Sequence, residues 1–254
     1  MSSYVGIDWG GTGWIAVIVA DDAGERERTV TAAFYPSILN VWRDNCEAET
    51  ILVDVPIGLG DGRRQCDEEA RAVLGESRNS VFYTPVRDAV YEDRYETAGD
   101  VHEEATGNRI STQAYHICPA IQEVDGFLRE IDAARSVVRE SHPELCFATL
   151  DGGGGRPAET TEEGLASRRT VLEDTFGDER DDAGDLEAFE REYIDDQPTH
   201  ARRFRASNRD DLLDAFVLAV TASGETVSLP RDPPTDRYDL PMEIVAPAGV
   251  RSVA

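Results

Sequence analysis

Two apolar runs flank a glycine-rich turn near the start of the chain, and this pattern constrains the fold most. Residues 4–8 predict a short strand that ends on Asp8, because an apolar run there meets the turn at residues 9–13. Residues 14–20 are wholly apolar and predict the strand that returns beside the first one. The chain is therefore expected to begin with an antiparallel hairpin.

The segments that follow predict an α/β fold with a mixed five-stranded sheet flanked by helices. A third strand, a helix capped by Ser37, a buried strand and a later strand follow the hairpin. This order is typical of three antiparallel strands that are extended by parallel strands through helical crossovers. The predicted segments are strands at 29–35, 50–54 and 136–140, helices over 38–46, 67–74, 115–134, 165–176 and 208–223, a loop at 152–155 and a solvated acidic stretch at 178–196.

The polar segments predict one domain with an insert and a tail. Residues 58–114, polar and rich in arginine, are expected to form a mostly irregular insert after the fourth strand. Residues 1–225 then form one domain. The proline-rich residues 226–254 are expected to pack on it as a meandering tail.

Acidic residues outnumber basic ones by 51 to 25, and all 25 basic residues are arginine. This composition resembles that of proteins from salt-loving archaea, in which carboxylates keep the surface hydrated. In about 1 M salt the Debye length is about 3 Å, so self-repulsion is screened. The net charge of −26 therefore does not exclude a polyanionic substrate, although it removes the basic surface typical of nucleic-acid-binding proteins.

Other features exclude several classes of protein. No apolar run is long enough to span a membrane. The first residues lack the basic segment, apolar core and cleavage site of a signal peptide, so a cytoplasmic protein is expected. The four cysteines have neither the spacing of zinc ligands nor that of a disulfide framework.

Four aspartates occupy positions that such a sheet would bring together. Asp8 and Asp54 each end a predicted strand, and α/β proteins bind ligands where strand ends meet. Asp211 and Asp214 project from one face of the last predicted helix. Carboxylates suit Mg²⁺ or Mn²⁺, and two such ions about 3.5–4 Å apart support phosphodiester hydrolysis. Stabilisation of a helix N-terminus is the alternative role for the helical pair.

The segments around these aspartates resemble a known superfamily. Residues 5–14 look like the first hairpin of the ribonuclease-H-like superfamily, and residues 211–221 are similar to the terminal helix of its Holliday-junction resolvase branch. Over about residues 4–223 the chain resembles the DUF429 family, described as predicted nucleases of that fold. The motifs that carry this resemblance are Asp54–Leu59, Arg64–Asp67 with Arg71, Ser80–Phe82 with Pro85 and Arg87, Gln122–Asp125 and Glu140–Glu144.

The resemblance implies a ribonuclease-H-like fold and a metal-dependent nuclease acting on nucleic acid. Asp8, Asp54, Asp211 and Asp214 would be its catalytic metal ligands, with Asp8 bridging two Mg²⁺ or Mn²⁺ ions. The resolvase branch has glutamate where this chain has Asp54, and it has no counterpart of residues 140–144.

That last motif adds two candidate catalytic residues. Glu140 ends the fifth predicted strand and could be a further metal ligand, while His142 could move protons near neutral pH. The alternative is a purely structural strand-to-loop turn around Pro143.

Five arginines are candidates for binding substrate phosphates, because a guanidinium group binds phosphate through two hydrogen bonds. Arg64, Arg71 and Arg87 lie in the insert, and Arg205 and Arg209 precede the acidic helix. Pairing with the many carboxylates of the chain is the alternative.

Two other functions remain open from the sequence. Residues 6–12 also resemble the first phosphate loop of sugar kinases and actin-like ATPases, whose second loop would have to be residues 151–155. A non-catalytic binding module of the same fold is the other alternative. The sequence identifies neither the type of nucleic acid nor the oligomeric state, for which a homodimer is one option.

Overall fold

The protein is represented by a computed structural model that describes residues 2–21, 28–152, 161–176, 186–198 and 203–250. The strands of its central sheet are β1 (Ser2–Trp9), β2 (Trp14–Asp21), β3 (Arg28–Tyr35), β4 (Thr50–Val53) and β5 (Val138–Glu140). Their spatial order is β3-β2-β1-β4-β5. β1 to β3 are antiparallel neighbours, whereas β4 pairs with β1 and β5 with β4 in parallel. The expected mixed five-stranded α/β sheet is confirmed.

Helices cover both faces of the sheet. They are α1 (Ile38–Asn45), α2 (Gln65–Leu74), α3 (Arg87–Val90), α4 (Tyr95–Thr106), α5 (Thr112–His116), α6 (Cys118–Glu130), α7 (Pro143–Leu150), α8 (Glu162–Phe176), α9 (Leu186–Glu190) and α10 (Arg209–Ser223). α1 begins as expected, since Ser37 Oγ accepts a hydrogen bond from the backbone N of Asn40 at 3.4 Å.

Successive side chains of each strand point to opposite faces of the sheet, and apolar side chains form a hydrophobic core on both faces. Ile7 and Val53 point to the face covered by α1 and α6, and both are fully buried. Val17 and Leu52 point to the other face, which packs against α8 and α10. The sheet is therefore the middle layer of three.

α10 lies directly on β1, and Gly6 makes this close approach possible. A Cβ atom at Gly6 would lie 2.0 Å from the carbonyl oxygen of Ala215 and 2.4 Å from the backbone N of Ala219. No side chain fits there without displacing the helix backbone. The approach brings the start of α10 to the end of β1.

The insert is more ordered than the sequence predicts. Residues 58–114, expected to be irregular outside one helix, form α2, α3, α4 and most of α5. The predicted single helix over 115–134 is divided between α5 and α6, with Pro119 in the first turn of α6.

The acidic stretch and the tail also differ from expectation. Glu190 is completely buried in α9, although a solvated segment was predicted there. The earlier part of that stretch, residues 178–185, lies outside the described residues, as does most of the predicted loop at 152–155. The tail forms a two-stranded antiparallel sheet of β6 (Thr226–Leu229) and β7 (Ile244–Pro247). A bridge from Ser141 to Val245 joins it to the end of β5. Among the described residues, no helix has the length and apolar character needed to cross a membrane.

Candidate functional site

A cavity of about 630 Å³ opens where β1, β4 and β5 end. These three strands are parallel to one another, so their carboxyl ends meet at one edge of the sheet. The insert and the start of α10 supply most of its other lining residues. Asp8, Asp54, Asp211 and Asp214 all line it, together with Glu140 and His142. The six predicted catalytic residues thus share one cavity.

Asp8 and Asp54 are held side by side by the pairing of β1 and β4. The backbone N of Asp54 donates to the carbonyl of Ile7 at 3.0 Å, and Asp8 Oδ1 accepts from the backbone N of Trp9 at 2.7 Å. Asp8 is only 8% exposed. Burial raises the pKa of Asp8 well above its usual value, and the nearby carboxylates of Asp54, Asp211 and Asp214 raise it further. The four carboxyl groups therefore interact with one another here.

The other two aspartates come from the first turns of α10. Asp211 Oδ2 accepts from Nδ2 of Asn208 at 2.8 Å. A Cβ atom at Gly10 would lie 3.0 Å from that Nδ2 and 3.5 Å from Asp211 Oδ2. Glycine at this position therefore lets the first hairpin turn lie against the start of α10.

A buried arginine that the sequence did not single out contacts the acidic cluster. Arg168 of α8 donates from Nη1 to Asp214 and from Nη2 to Glu144, and it is 2% exposed. Its guanidinium group also lies 4.7 Å from the ring centre of Phe147. The arginine thus places one positive charge against Asp214 in the interior. No local sequence motif marks Arg168 as a partner of Asp214. Its place on a late predicted helix was the one available signal.

A second buried arginine organises the floor of the cavity. Arg64 Nη2 lies 2.6 Å from Glu140 and 2.5 Å from Asp67, and Glu140 Oε2 also accepts from the backbone N of Ile57 at 2.6 Å. Burial raises the pKa of Glu140 to about 7, and the attraction of Arg64 offsets this only in part because Asp67 shares the same guanidinium group. Asp67 was not predicted as a site residue, although its spacing of three residues from Arg64 is a signal for such a pair.

His142 is half-buried in the same cavity. Its Nδ1 atom is buried and has no hydrogen-bond partner among the described residues. Because protein atoms enclose this nitrogen, a ligand in the cavity would meet the other atoms of the ring.

Four of the five arginines proposed to bind phosphate lie outside the described lining of the cavity. Arg71 donates to the carbonyls of Arg78 and Val81. Arg87 is buried and pairs with Asp125 and Asp236. Arg209 pairs with Glu190 and Asp195. Arg205 is exposed. Arg64 lines the cavity, paired with Asp67 and Glu140.

The first hairpin turn is closed by its own backbone. Gly10 N donates to the carbonyl of Gly13 at 3.0 Å, and a Cβ atom at Gly13 would lie 2.4 Å from the ring of Phe34. These two glycines therefore serve the turn and its packing. Most of the second loop that a kinase would need, residues 151–155, lies outside the described residues.

The carboxylates do not form a ready metal-binding group. Within the described ranges, no three His, Cys, Asp or Glu side chains are arranged so that they could hold a metal ion together. Their oxygens nevertheless have the hard donor chemistry that Mg²⁺ and Mn²⁺ prefer. Ion binding therefore requires at least one side chain, such as Asp211 beside Asn208, to turn from its present partner.

Comparison with known proteins identifies the family of the chain. No curated protein and no solved structure gives a significant match. The model of the family described as "Protein of unknown function (DUF429)" matches residues 6–235, which include every residue of the carboxylate cluster. The chain belongs to the DUF429 family.

Proposed function

We propose that this protein is a divalent-metal-dependent hydrolase that cleaves phosphodiester bonds of nucleic acid. One observation carries the proposal: Asp8, Asp54, Asp211 and Asp214, supplied by two strand ends and one helix, line a single cavity. Carboxylates gathered in one cavity repel one another, and a divalent cation is the ligand that best offsets their repulsion.

The architecture supports a ribonuclease-H-like fold for this hydrolase. Three antiparallel strands are extended by two parallel strands, and the last helix lies on the first strand. This places acids of β1, β4 and α10 together, which is the arrangement that the resemblance to that superfamily implies.

The cluster fits one cation better than the two expected from the sequence. Arg168 already supplies a buried positive charge at Asp214, so Asp8, Asp54 and Asp211 would be the carboxylates that turn towards a metal ion. A cation bound by these carboxylates would lower the pKa of a coordinated water and polarise the phosphoryl group.

Other residues of the cavity would act around that centre. His142, which lines the cavity, would donate a proton to the leaving oxygen once its ring presents a nitrogen to the substrate. Arg64 remains enclosed by Asp67 and Glu140, so its contribution is to hold the end of β5 and the first turn of α2 in place. Arg168 would fix the orientation of Asp214.

A hydrolysis screen in molar KCl tests the proposal. Single strands, duplexes, RNA–DNA hybrids and branched DNA are incubated with Mn²⁺ or Mg²⁺ and with wild type, Asp8→Asn or Asp232→Asn. The last variant makes the same change at an exposed aspartate away from the cavity. Cleavage by wild type and Asp232→Asn, lost in Asp8→Asn and after chelation, is the expected result. Equal behaviour of all three proteins on every substrate would refute it.

A further inference from the structure

The cavity has two chemically different walls. Carboxylates from the strand ends and α10 supply one part of its lining, called the acidic wall, and the insert supplies another part. Besides the charged pair Arg64 and Asp67, the insert supplies uncharged lining residues, and these together with the neighbouring Ile117 are called the insert wall: Ser77, Asn79, Ser80, Val81, Phe82, Thr84, Gln113 and Ile117. These residues come from the segment that follows α2 and from the junction of α5 and α6. The proposed chemistry at the acidic wall makes no use of them.

The charge of the lining disfavours a long tract of phosphates inside the cavity. Seven carboxylic residues line the cavity, while Arg64 is the only arginine or lysine among its described lining residues. That arginine is already paired with Asp67 and Glu140. Binding of a duplex depends on neutralising many phosphates, and this cavity offers no described cation to do so. A ligand with one phosphate brings far less charge to the acidic wall, and the metal ion of the proposed function would offset it.

The insert wall carries groups suited to a heterocyclic base. The ring of Phe82 and the side chain of Ile117 are half-buried and present apolar surface, which stacks on the face of a base. Gln113 and Ser77 have side chains with no hydrogen-bond partner among the described residues, and Asn79 uses only its Oδ1 atom, 3.4 Å from Arg71. Amide and hydroxyl groups supply both donors and acceptors, as the edge of a base requires.

We propose that the insert wall binds the base of one unpaired nucleotide and directs its phosphate to the acidic wall. The placement of the phosphate rests on the proposed function; the recognition of the base does not. Free nucleotides and the unpaired end of a single strand share this chemistry. A paired base inside a duplex is excluded unless it first leaves the helix.

Equilibrium binding in molar KCl without divalent cations tests the inference. The probes are the four ribonucleosides, their monophosphates, a single-stranded oligonucleotide and a blunt duplex of the same sequence. Phe82→Leu removes the ring but keeps apolar packing, and Gln113→Ala removes an exposed amide; Gln65→Ala is the matched control on α2, outside the cavity. We expect Phe82→Leu to raise the Kd of nucleosides and monophosphates about tenfold, Gln113→Ala to raise it for some bases, and Gln65→Ala to leave it unchanged.

Further outcomes distinguish a free nucleotide from a single strand as the ligand, and failure of this inference from failure of the proposed function. The single strand should bind with the same salt dependence as a monophosphate, because one nucleotide enters the cavity, and the duplex should bind far more weakly. Binding of the duplex as tight as that of the single strand, or Kd values unchanged in both cavity variants, would overturn the inference. If nucleosides bind as expected but no substrate is hydrolysed, only the proposed function fails. If hydrolysis requires Asp8 but nucleosides do not bind, only this inference fails.

Discussion

Replacement of Glu140 by glutamine is expected to change how the stability of the protein depends on pH. In the structure one guanidinium group, that of Arg64, faces the two carboxylates of Glu140 and Asp67, and all three side chains are buried. One net negative charge therefore remains in the interior when both acids are ionised. Protonation of Glu140 removes this net charge, and a glutamine at the same position carries no charge at any pH.

The magnitude follows from the pKa of Glu140, which burial raises from 4.5 to about 7. Between these two pH values the unfolded chain releases the proton while the folded chain keeps it, so the free energy of unfolding falls as the pH rises. With about 1.4 kcal/mol for each pH unit, the folded state loses about 3 kcal/mol on passing from below 4.5 to above 7. The free energy of unfolding of Glu140→Gln should not fall in this way, because glutamine does not titrate.

Urea unfolding in molar KCl, followed by circular dichroism at closely spaced pH values, measures the effect. The difference between wild type and Glu140→Gln isolates this one group, and Glu76→Gln, at an exposed position of the insert, is the matched control. We expect the wild type to lose about 3 kcal/mol relative to Glu140→Gln across the interval, and nothing relative to the control. A constant difference, or one that rises with pH, would show that Arg64 keeps Glu140 ionised and would refute the reasoning.

Three further predictions concern packing, buried charge and thiol reactivity. Gly6→Ala should lower the free energy of unfolding by about 3 kcal/mol or more in urea titrations, because its Cβ would lie 2.0 Å from the carbonyl oxygen of Ala215; an unchanged midpoint would contradict the close packing of α10 on β1. Arg168→Met should cost about 3–5 kcal/mol by leaving two carboxylates without their buried cation, whereas Arg43→Met at an exposed site should cost less than about 0.5 kcal/mol. Cys46 is the exposed cysteine and the other three are buried, so a thiol reagent should modify one residue of the native chain and all four after unfolding.

The sheet could be predicted because its signals are local. β1, β2 and β4 contain apolar runs bounded by turn residues, and the acids Asp8 and Asp54 stand out as the polar ends of two such runs. Strand order then follows from connection lengths and the position of the helices. These signals were sufficient to bring the predicted carboxylates to one edge of the sheet.

The ion pairs of the interior could not be predicted in the same way. Glu190 belongs to a strongly acidic stretch, yet it is buried because Arg169 and Arg209 reach it from two other helices. Arg168 meets Asp214 across 46 positions of the chain. Such pairs depend on how the helices pack against one another, and the sequence near each partner does not predict that packing.

The helices of the insert were not predicted for a related reason. α4 buries Ala98, Gly99 and His102, which are small or polar and form no apolar stripe. The strands β6 and β7 are short, and their pairing is fixed by contacts with the end of β5. Both segments acquire their order from tertiary packing.

Calorimetric titration of Mn²⁺ into metal-free protein in molar KCl tests the central claim most directly, because the carboxylates must rearrange to hold an ion. Wild type and Asp232→Asn are predicted to bind one ion per chain, and Asp8→Asn is predicted to bind none in the same concentration range. Equal binding by Asp8→Asn and wild type, or no binding by any of the three proteins, would contradict a metal-dependent function for this cavity.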